Sequence, residues 1–235
     1  MRHAIYYTPD RDHPLARAAA SWLGRDAFAG TVLTPPKVSS LSAAEIAFHT
    51  AAARRYGFHA TIKAPFRLAE GESERSLTDA LDAYVRQTPP FQVPQLVIGQ
   101  IDGFFALLPS GGFTELKAFA ASVVETFDRF RAPITEVEIE RRNPEKLSAE
   151  QFRNLCQWGY PYVFDTFRFH MTLSGRVSGG EAARVRAAIE EIFAPVLCEP
   201  LSIDGLALFV EPEAGGPFTI LSRHALCPQR ERKIA

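Results

Sequence analysis

The sequence predicts an α+β chain folded as two small lobes packed together around a shared cleft. Three observations predict it. Segments of strand-like period two alternate with segments of helical period. The order of these segments repeats once along the chain. In each copy, one strand carries Phe-His-x-Thr, at Phe58–Thr61 and again at Phe169–Thr172. No low-complexity linker divides the copies, so residues 1–235 read as a single bilobal domain of two intertwined repeats.

In order, Ala4–Thr8 is a short β-prone run with two tyrosines, and a turn follows at Pro9–Asp12. Pro14 suits the first turn of a helix. Leu15, Ala18, Ala19, Trp22 and Leu23 then recur at helical spacing, and Gly24 is its stop. Thr31–Ser40, with Pro35 and Pro36, reads as a connector. Ser42 followed by Glu45 is a capping box that starts a helix running to about Arg55. Gly57 breaks that helix just before the first H-x-T strand, within the extended stretch Tyr56–Phe66. Ser76 with Asp79 resembles a second cap, before a stripe of Leu77, Leu81, Tyr84 and Val85. Val93–Ile101 and Phe104–Leu108 read as two strands joined by Asp102-Gly103, a hairpin turn pair.

From Phe104 the order recurs. A periodic helix carries Leu116, Phe119, Ala120, Val123, Val124, Phe127 and Phe130. Ala132–Lys146 is irregular and richly charged, with room for a short edge strand. Ser148 with Gln151 caps a helix ending near Trp158-Gly159, and the second Phe-His-x-Thr strand follows. Gly179-Gly180 opens a helix with Ala182, Val185, Ile189 and Ile192 on one stripe. Leu201–Val210 and Phe218–Ala225 close as strands, and the tail from Pro228 is polar and frayed.

Composition narrows the function. Hydrophobic residues make up 46% and charged residues 23%, ordinary for a soluble globular chain. The formal net charge of -1 gives no electrostatic footprint for a long nucleic acid. A small phosphorylated substrate in a local basic pocket needs only a few charges. Cys156, Cys198 and Cys227 are widely spaced and odd in number. They form neither a disulfide framework nor a zinc pattern, and they read as small, at least partly buried apolar residues. No run of ~20 apolar residues could span a bilayer, and the first ten residues lack a signal-peptide core. A reducing, cytoplasmic location without membrane contact is expected. The oligomeric state stays open.

Alternation along an extended strand puts His59, Thr61 and Lys63 on one face and Phe58, Ala60 and Ile62 on the other. Downstream, Arg168, His170, Thr172 and Ser174 share a face opposite Phe169, Met171 and Leu173. A lone H-x-T is a weak signal, and either histidine alone is more simply a core or surface residue. The matched pair, 111 residues apart, points to chemistry. Two imidazoles facing one substrate form an acid–base couple near neutral pH, with one ring taking a proton and the other giving one. Phosphodiester chemistry fits, because it moves a proton at both the attacking and the leaving oxygen. Each threonine lies about 6.5–7 Å along the strand from its histidine, on the same face, where its hydroxyl can donate to a phosphate oxygen.

Lys63 and Arg168 are candidates to offset the developing charge, with solvated strand-edge cations as the plain alternative. Tyr56 is placed either to stack a substrate or to pack at its helix end. Trp158, Tyr160 and Tyr162 line a pocket or pack as core. His3, His13, His49 and His224 stand in unmatched contexts and read as structural or surface residues. There is no H-E-x-x-H, P-loop, strand-borne G-x-G-x-x-G or G-x-S-x-G sequence, and no carboxylate is spaced to complete a zinc site with the histidine pair. No metal and no cofactor are expected.

These residues resemble the two-histidine (2H) phosphoesterase superfamily, whose hallmark is a pair of H-x-[Thr/Ser] motifs. The longer strings RYGFHATIKAPFRL and WGYPYVFDTFRFHMTLSGRV are similar to the branch associated with phosphonate-utilisation operons, and that likeness spans nearly the whole chain. The resemblance implies a bilobal fold of two pseudo-twofold-related antiparallel-sheet lobes, with helices outside and a central cleft. It also implies metal-independent hydrolysis or transfer on a small cyclic phosphate of a sugar or nucleotide. His59 and His170 are then the acid–base pair, and Thr61 and Thr172 bind phosphate. The repeat makes the two histidines equivalent, so acid and base are not assigned. Two other readings use the same cleft: a module that binds an RNA end or nucleotide without turnover, and a transferase similar to the 2′–5′ RNA ligases.

Overall fold

The fold is seen in a computed structural model that describes residues 1–227; the expected frayed tail from Pro228 lies outside the described residues. The first part of the chain runs β1 (Arg2–Tyr7), α1 (Pro14–Leu23), β2 (Arg25–Asp26), β3 (Thr31–Val32), α2 (Ala43–Tyr56), β4 (Ala60–Phe66), α3 (Glu74–Val85), β5 (Phe91–Val93) and β6 (Leu96–Ile101). The rest runs β7 (Phe104–Pro109), α4 (Thr114–Thr126), α5 (Glu136–Glu140), α6 (Ala149–Trp158), β8 (Met171–Arg176), α7 (Glu181–Phe193), β9 (Leu201–Ile203), β10 (Gly205–Glu211) and β11 (Thr219–Ala225).

Seven strands form one sheet in the order β11-β10-β1-β4-β8-β7-β6, with every neighbouring pair antiparallel. The fold class is therefore α+β with antiparallel pairing. The sheet has two halves. β1 and β4 sit with β10 and β11 in one, and β7 and β8 sit with β6 in the other. They meet between β4 and β8, where Ala60 pairs with Met171. Each half takes its outer strands from the other part of the chain, β10 and β11 on one side and β6 on the other. β5 and β9, which lead into those strands, pair antiparallel with each other.

The helical stripes land in the main core. Leu15, Ala19, Trp22 and Leu23 of α1, Leu77 and Leu81 of α3, Leu116, Phe119 and Val123 of α4, and Val185 and Ile189 of α7 are all buried there with Ile5, Tyr7 and Ile62 from the sheet. Trp22 also donates its indole N–H to the Leu173 carbonyl at 2.8 Å, fixing α1 to β8. A smaller cluster of Ala4, Tyr6, Ala207, Phe209 and Phe218 lies against the opposite sheet face, with Tyr56 packed on it.

Local sequence accounts for most boundaries. The capping boxes at Ser42/Glu45 and Ser148/Gln151 are formed, and Gly24 closes α1 at φ 69°. The cap of α3 lies earlier than the sequence suggests: Ser73 is the cap and Ser76 its reciprocal partner. Val93–Ile101 is two strands, because Pro94 has no N–H for a ladder and separates β5 from β6. Leu201–Val210 likewise divides at Asp204. The charged segment after Ala132 holds a helix rather than an edge strand; Thr135 and Glu138 form a capping box that starts α5.

The three cysteines are free and exposed, not buried. Three of the unmatched histidines do structural work. His3 meets Glu74 at 3.1 Å, and His224 meets Asp82 at 2.6 Å and Ser222 at 2.8 Å, so both tie α3 to the sheet. His13 accepts the Leu15 N–H at the start of α1. Among the described residues, no helix is long and apolar enough to cross a membrane.

Candidate active site

β4 and β8 set the site. Ala60 and Met171 face each other across the ladder and are fully buried. His59 and Thr61 flank Ala60, and His170 and Thr172 flank Met171. Alternation therefore sends these four side chains to the face opposite the Ala60–Met171 pair. All four line one cavity of about 380 Å³.

The two imidazoles are held alike. His59 Nδ1 donates to the Gly57 carbonyl at 2.9 Å, and His170 Nδ1 donates to the Arg168 carbonyl at 2.8 Å. A carbonyl only accepts, so Nδ1 carries the proton and each neutral ring keeps Nε2 as an acceptor. The Thr61 hydroxyl lies 3.3 Å from His59 Nε2 and donates to it. The Thr172 hydroxyl has no protein partner among the described residues and is available to a ligand.

The surroundings of the rings differ. Tyr6 pairs with Thr61 across β1 and β4, so its side chain shares the site face. It stacks on His59 with centroids 3.9 Å apart and planes 21° apart. At the corresponding place beside Thr172 stands Ala106. Among the described residues, His170 has only the tilted Phe104 ring, at 5.7 Å. Burial pushes His59 down to about 4; the Gly57 carbonyl opposes this and charge on His170 adds to it. Burial also lowers His170, and the Arg168 guanidinium adds to that, while its own carbonyl bond and Asp102 pull the other way.

Lys63 is not in the cavity. Tyr6 pairs with Thr61 but Ile5 pairs with Lys63, so Ile62 is an extra residue in β4. This bulge moves Lys63 to the face of Ile5, which is core. Lys63 is 3% exposed and donates to Asp128 at 3.0 Å and the Val124 carbonyl at 3.3 Å. The expectation that it shares a face with His59 and Thr61 therefore fails. Arg168 precedes β8, is exposed, and does not line the cavity, although its charge reaches His170. Tyr56 does line the cavity, and it also packs, stacked on Phe218 at 5.2 Å.

Of the aromatic group, Tyr160 reaches the cavity, whereas Trp158 and Tyr162 do not line it. The loop bearing Tyr160 is held by Thr166, whose single hydroxyl proton is shared between the Pro161 and Val163 carbonyls at 2.8 and 2.7 Å. The lining also includes Arg2, Tyr6, Phe104, Arg142, Ser174 and Arg176. Of these, only Ser174 was placed on a site face by alternation. The signal for Tyr6 was present in its strand but needed the β1–β4 register. Nothing local marks Arg2 or Arg142, whereas Arg176 continues the alternation of His170, Thr172 and Ser174 along β8. Among the described residues, no group of three or more His, Cys, Asp or Glu side chains gathers as a metal site.

A family model described as "Protein of unknown function (DUF1045)" matches residues 61–219. The chain belongs to that family. The match spans both threonines and His170, and begins two residues after His59. Two curated relatives carry the name "Ribose 1,5-bisphosphate phosphokinase PhnN". The one from Janthinobacterium sp. (strain Marseille) is 37% identical over 98% of this chain and 52% of its own length. The one from Laribacter hongkongensis (strain HLHK9) is 36% identical over 94% of this chain and 50% of its own. The chain thus spans about half the length of the curated relatives it matches.

Two solved structures are distantly similar. One is the crystal structure of TT0787 of Thermus thermophilus, with 13% identity and a TM-score of 0.45 over 98% of this chain and 100% of that one. The other is described as "Crystal structure of phosphoesterase", with 14% identity and a TM-score of 0.44 over 97% and 99%. Neither likeness is close enough to carry an argument.

Proposed function

We propose that this DUF1045 chain is a phosphoesterase of the two-histidine type that opens a small cyclic phosphate. One observation carries the reading: the Ala60–Met171 register delivers two Nε2 acceptors and two threonine hydroxyls to one cavity. In the forward step, water oxygen attacks phosphorus and a P–O bond forms. The water proton passes to His59 Nε2. The ring P–O bond breaks, and protonated His170 gives its Nε2 proton to the departing oxygen. The product is a phosphate monoester, and solvent exchange restores both rings. Thr172, and Thr61 once it turns from His59, donate to the non-bridging oxygens as charge builds.

Ring surroundings support this division of roles. His59, buried under Tyr6, stays neutral over most of the pH range and suits the base. His170 has the more open face and suits the acid. No step draws on Lys63.

The relatives' name supports a choice of substrate class. The chain contains no G-x-x-x-x-G-K-[ST] sequence, so a P-loop kinase's phosphate cradle is not among its residues. A cyclic ribose phosphate, opened to a monoester, would yield the class of compound that an enzyme named for ribose 1,5-bisphosphate accepts. The setting in phosphonate utilisation rests on the resemblance of the two H-x-T strings. Phosphorus NMR of a panel of ribose and nucleoside cyclic phosphates, with EDTA present, tests the reading. Ring opening by the wild type and its loss in both His59→Ala and His170→Ala is the expected result. A fully active single variant sinks the paired mechanism, and tight binding without turnover across the panel points to a binding module instead.

A further inference from the structure

A second cavity of about 620 Å³ adjoins the histidine cavity and shares Arg2, Tyr56, Pro65 and Arg142 with it. Its charge is unlike that of the chain as a whole, which is nearly neutral. Among the described residues, six arginines (Arg2, Arg55, Arg67, Arg131, Arg141 and Arg142) line it against Glu138 and Glu211. Four of them are already engaged. Arg2 and Arg55 both pair with Glu211, Arg67 pairs with Glu138, and Arg131 pairs with Asp128.

Arg141 and Arg142 make no side-chain hydrogen bond or ion pair among the described residues, and both are exposed. They stand at the end of α5, in the charged segment that the acid–base chemistry leaves unused. Arg142 occupies the junction of the two cavities. Its guanidinium lies over the Tyr160 ring, 5.1 Å from the centroid. Such stacking steadies the planar group while leaving its N–H donors at the edge for a ligand. A guanidinium fork matches two phosphate oxygens, and the surplus of positive charge suits a dianion.

We infer that the substrate carries a second phosphate, a monoester remote from the scissile ring, and that Arg142 on Tyr160 is its main anchor, with Arg141 beside it. The inference deepens the cyclic phosphodiesterase reading and rests on it for the position of the scissile group. It makes Arg142 a specificity-determining residue, without a role in proton transfer.

The test uses two matched probes, adenosine 2′,3′-cyclic phosphate with and without a 5′-phosphate, and calorimetry with ribose 5-phosphate. Wild type is expected to favour the 5′-phosphorylated probe by about 10- to 100-fold in kcat/KM, the range of a charge-assisted hydrogen-bonded contact. In Arg142→Ala that ratio falls to near one, mainly through KM, and Arg142→Lys recovers part of it. Ribose 5-phosphate binding weakens by about 10-fold or more in Arg142→Ala. A wild-type ratio near one, or a ratio unchanged in Arg142→Ala, overturns the anchor even if hydrolysis is confirmed. If neither probe is opened, the hydrolase reading loses this support, and ribose 5-phosphate binding decides the anchor: dependence on Arg142 upholds it and indifference overturns it. Faster opening of an RNA oligonucleotide ending in a cyclic phosphate than of the 5′-phosphorylated mononucleotide overturns the small substrate.

Discussion

Ala60 and Met171 are partners across the middle of the sheet, each standing between the histidine and threonine of its own motif. Their pairing relates the two motifs by a local twofold. It makes the carbonyl contacts of the two histidines alike and leaves the asymmetry of the site to neighbouring strands. Tyr6 lies on one side of that twofold and Ala106 on the other. The difference between the two rings is thus set by β1 and β7, not by the motifs.

That asymmetry predicts an acid-side activity optimum. In the proposed mechanism the base must be neutral and the acid protonated in the free enzyme. His59 is held down to about 4, by burial first, and His170 is lowered from the usual histidine range. Activity should fall at low pH as His59 is protonated and at higher pH as His170 loses its proton. The kcat/KM profile is expected to peak below about pH 6.5, the unperturbed histidine value. Substrate negative charge favours the protonated acid, so the basic limb of the kcat profile should lie at higher pH than that of kcat/KM. A kcat/KM plateau extending through about pH 8 would reject the assignment of His170 as acid.

The same burial makes stability depend on pH. In the unfolded chain His59 gains its proton near pH ~6.5, whereas in the fold it does so only at about 4. Between these values the unfolded state binds more protons, so stability falls as pH falls, by at most about 1.4 kcal/mol per unit. Glu138 and Glu45, both held near 2, act in the same direction but mainly below the His59 window. His59→Gln should therefore lose less stability than wild type between about pH 7 and pH 5. Urea midpoints at the two pH values measure this, and equal losses would show that His59 titrates normally.

Lys63 is expected to matter for folding and not for substrate. Asp128 is shared by Lys63 and Arg131, so Lys63→Met leaves the carboxylate one cation. Asp128→Ala instead leaves the buried ammonium with only the Val124 carbonyl among the described residues. The aspartate variant should be the more destabilised, by roughly 3–5 kcal/mol, the range for an orphaned buried charge. Lys63→Met should cost less, with KM unchanged. Thermal melts and steady-state kinetics on the two variants check the order. A rise in KM for Lys63→Met without loss of stability would return Lys63 to the substrate.

The pair of H-x-T strands was legible because each motif carries its own alternation and the two agree. The capped helices were legible for a similar reason, since a capping box is local. What escaped depends on register between distant strands. The Ile62 bulge reverses Lys63, yet nothing in Thr61-Ile62-Lys63 marks an extra residue, because a bulge is a relation to β1. Tyr6 became part of the site only through its pairing with Thr61. The breaks at Pro94 and Asp204 were missed in both copies because long apolar runs mask a change of partner, although Pro94 was a usable signal. Arg142 sits in a segment without period, where charge alone gives no direction.

Gly57 ties the backbone to the proposed chemistry most directly. It ends α2 at φ 75° and ψ 177°, a conformation nearly confined to glycine, and its carbonyl holds His59 Nδ1. A Cβ there would meet the Ala27 Cβ at 2.6 Å. Gly57→Ala must therefore move the turn, at a cost of roughly 1–3 kcal/mol for the backbone conformation alone. The moved carbonyl would release the ring. Activity should then fall by about 10- to 100-fold even well below the melting temperature, as expected for a misplaced catalytic group. Gly30→Ala is the control. It also has positive φ, at 68°, but among the described residues its Cβ would meet only Thr219, at 3.6 Å, and it does not line the histidine cavity. It should lose stability and keep kcat. If the two variants lose activity only in proportion to unfolding, the Gly57 carbonyl is not what orients His59.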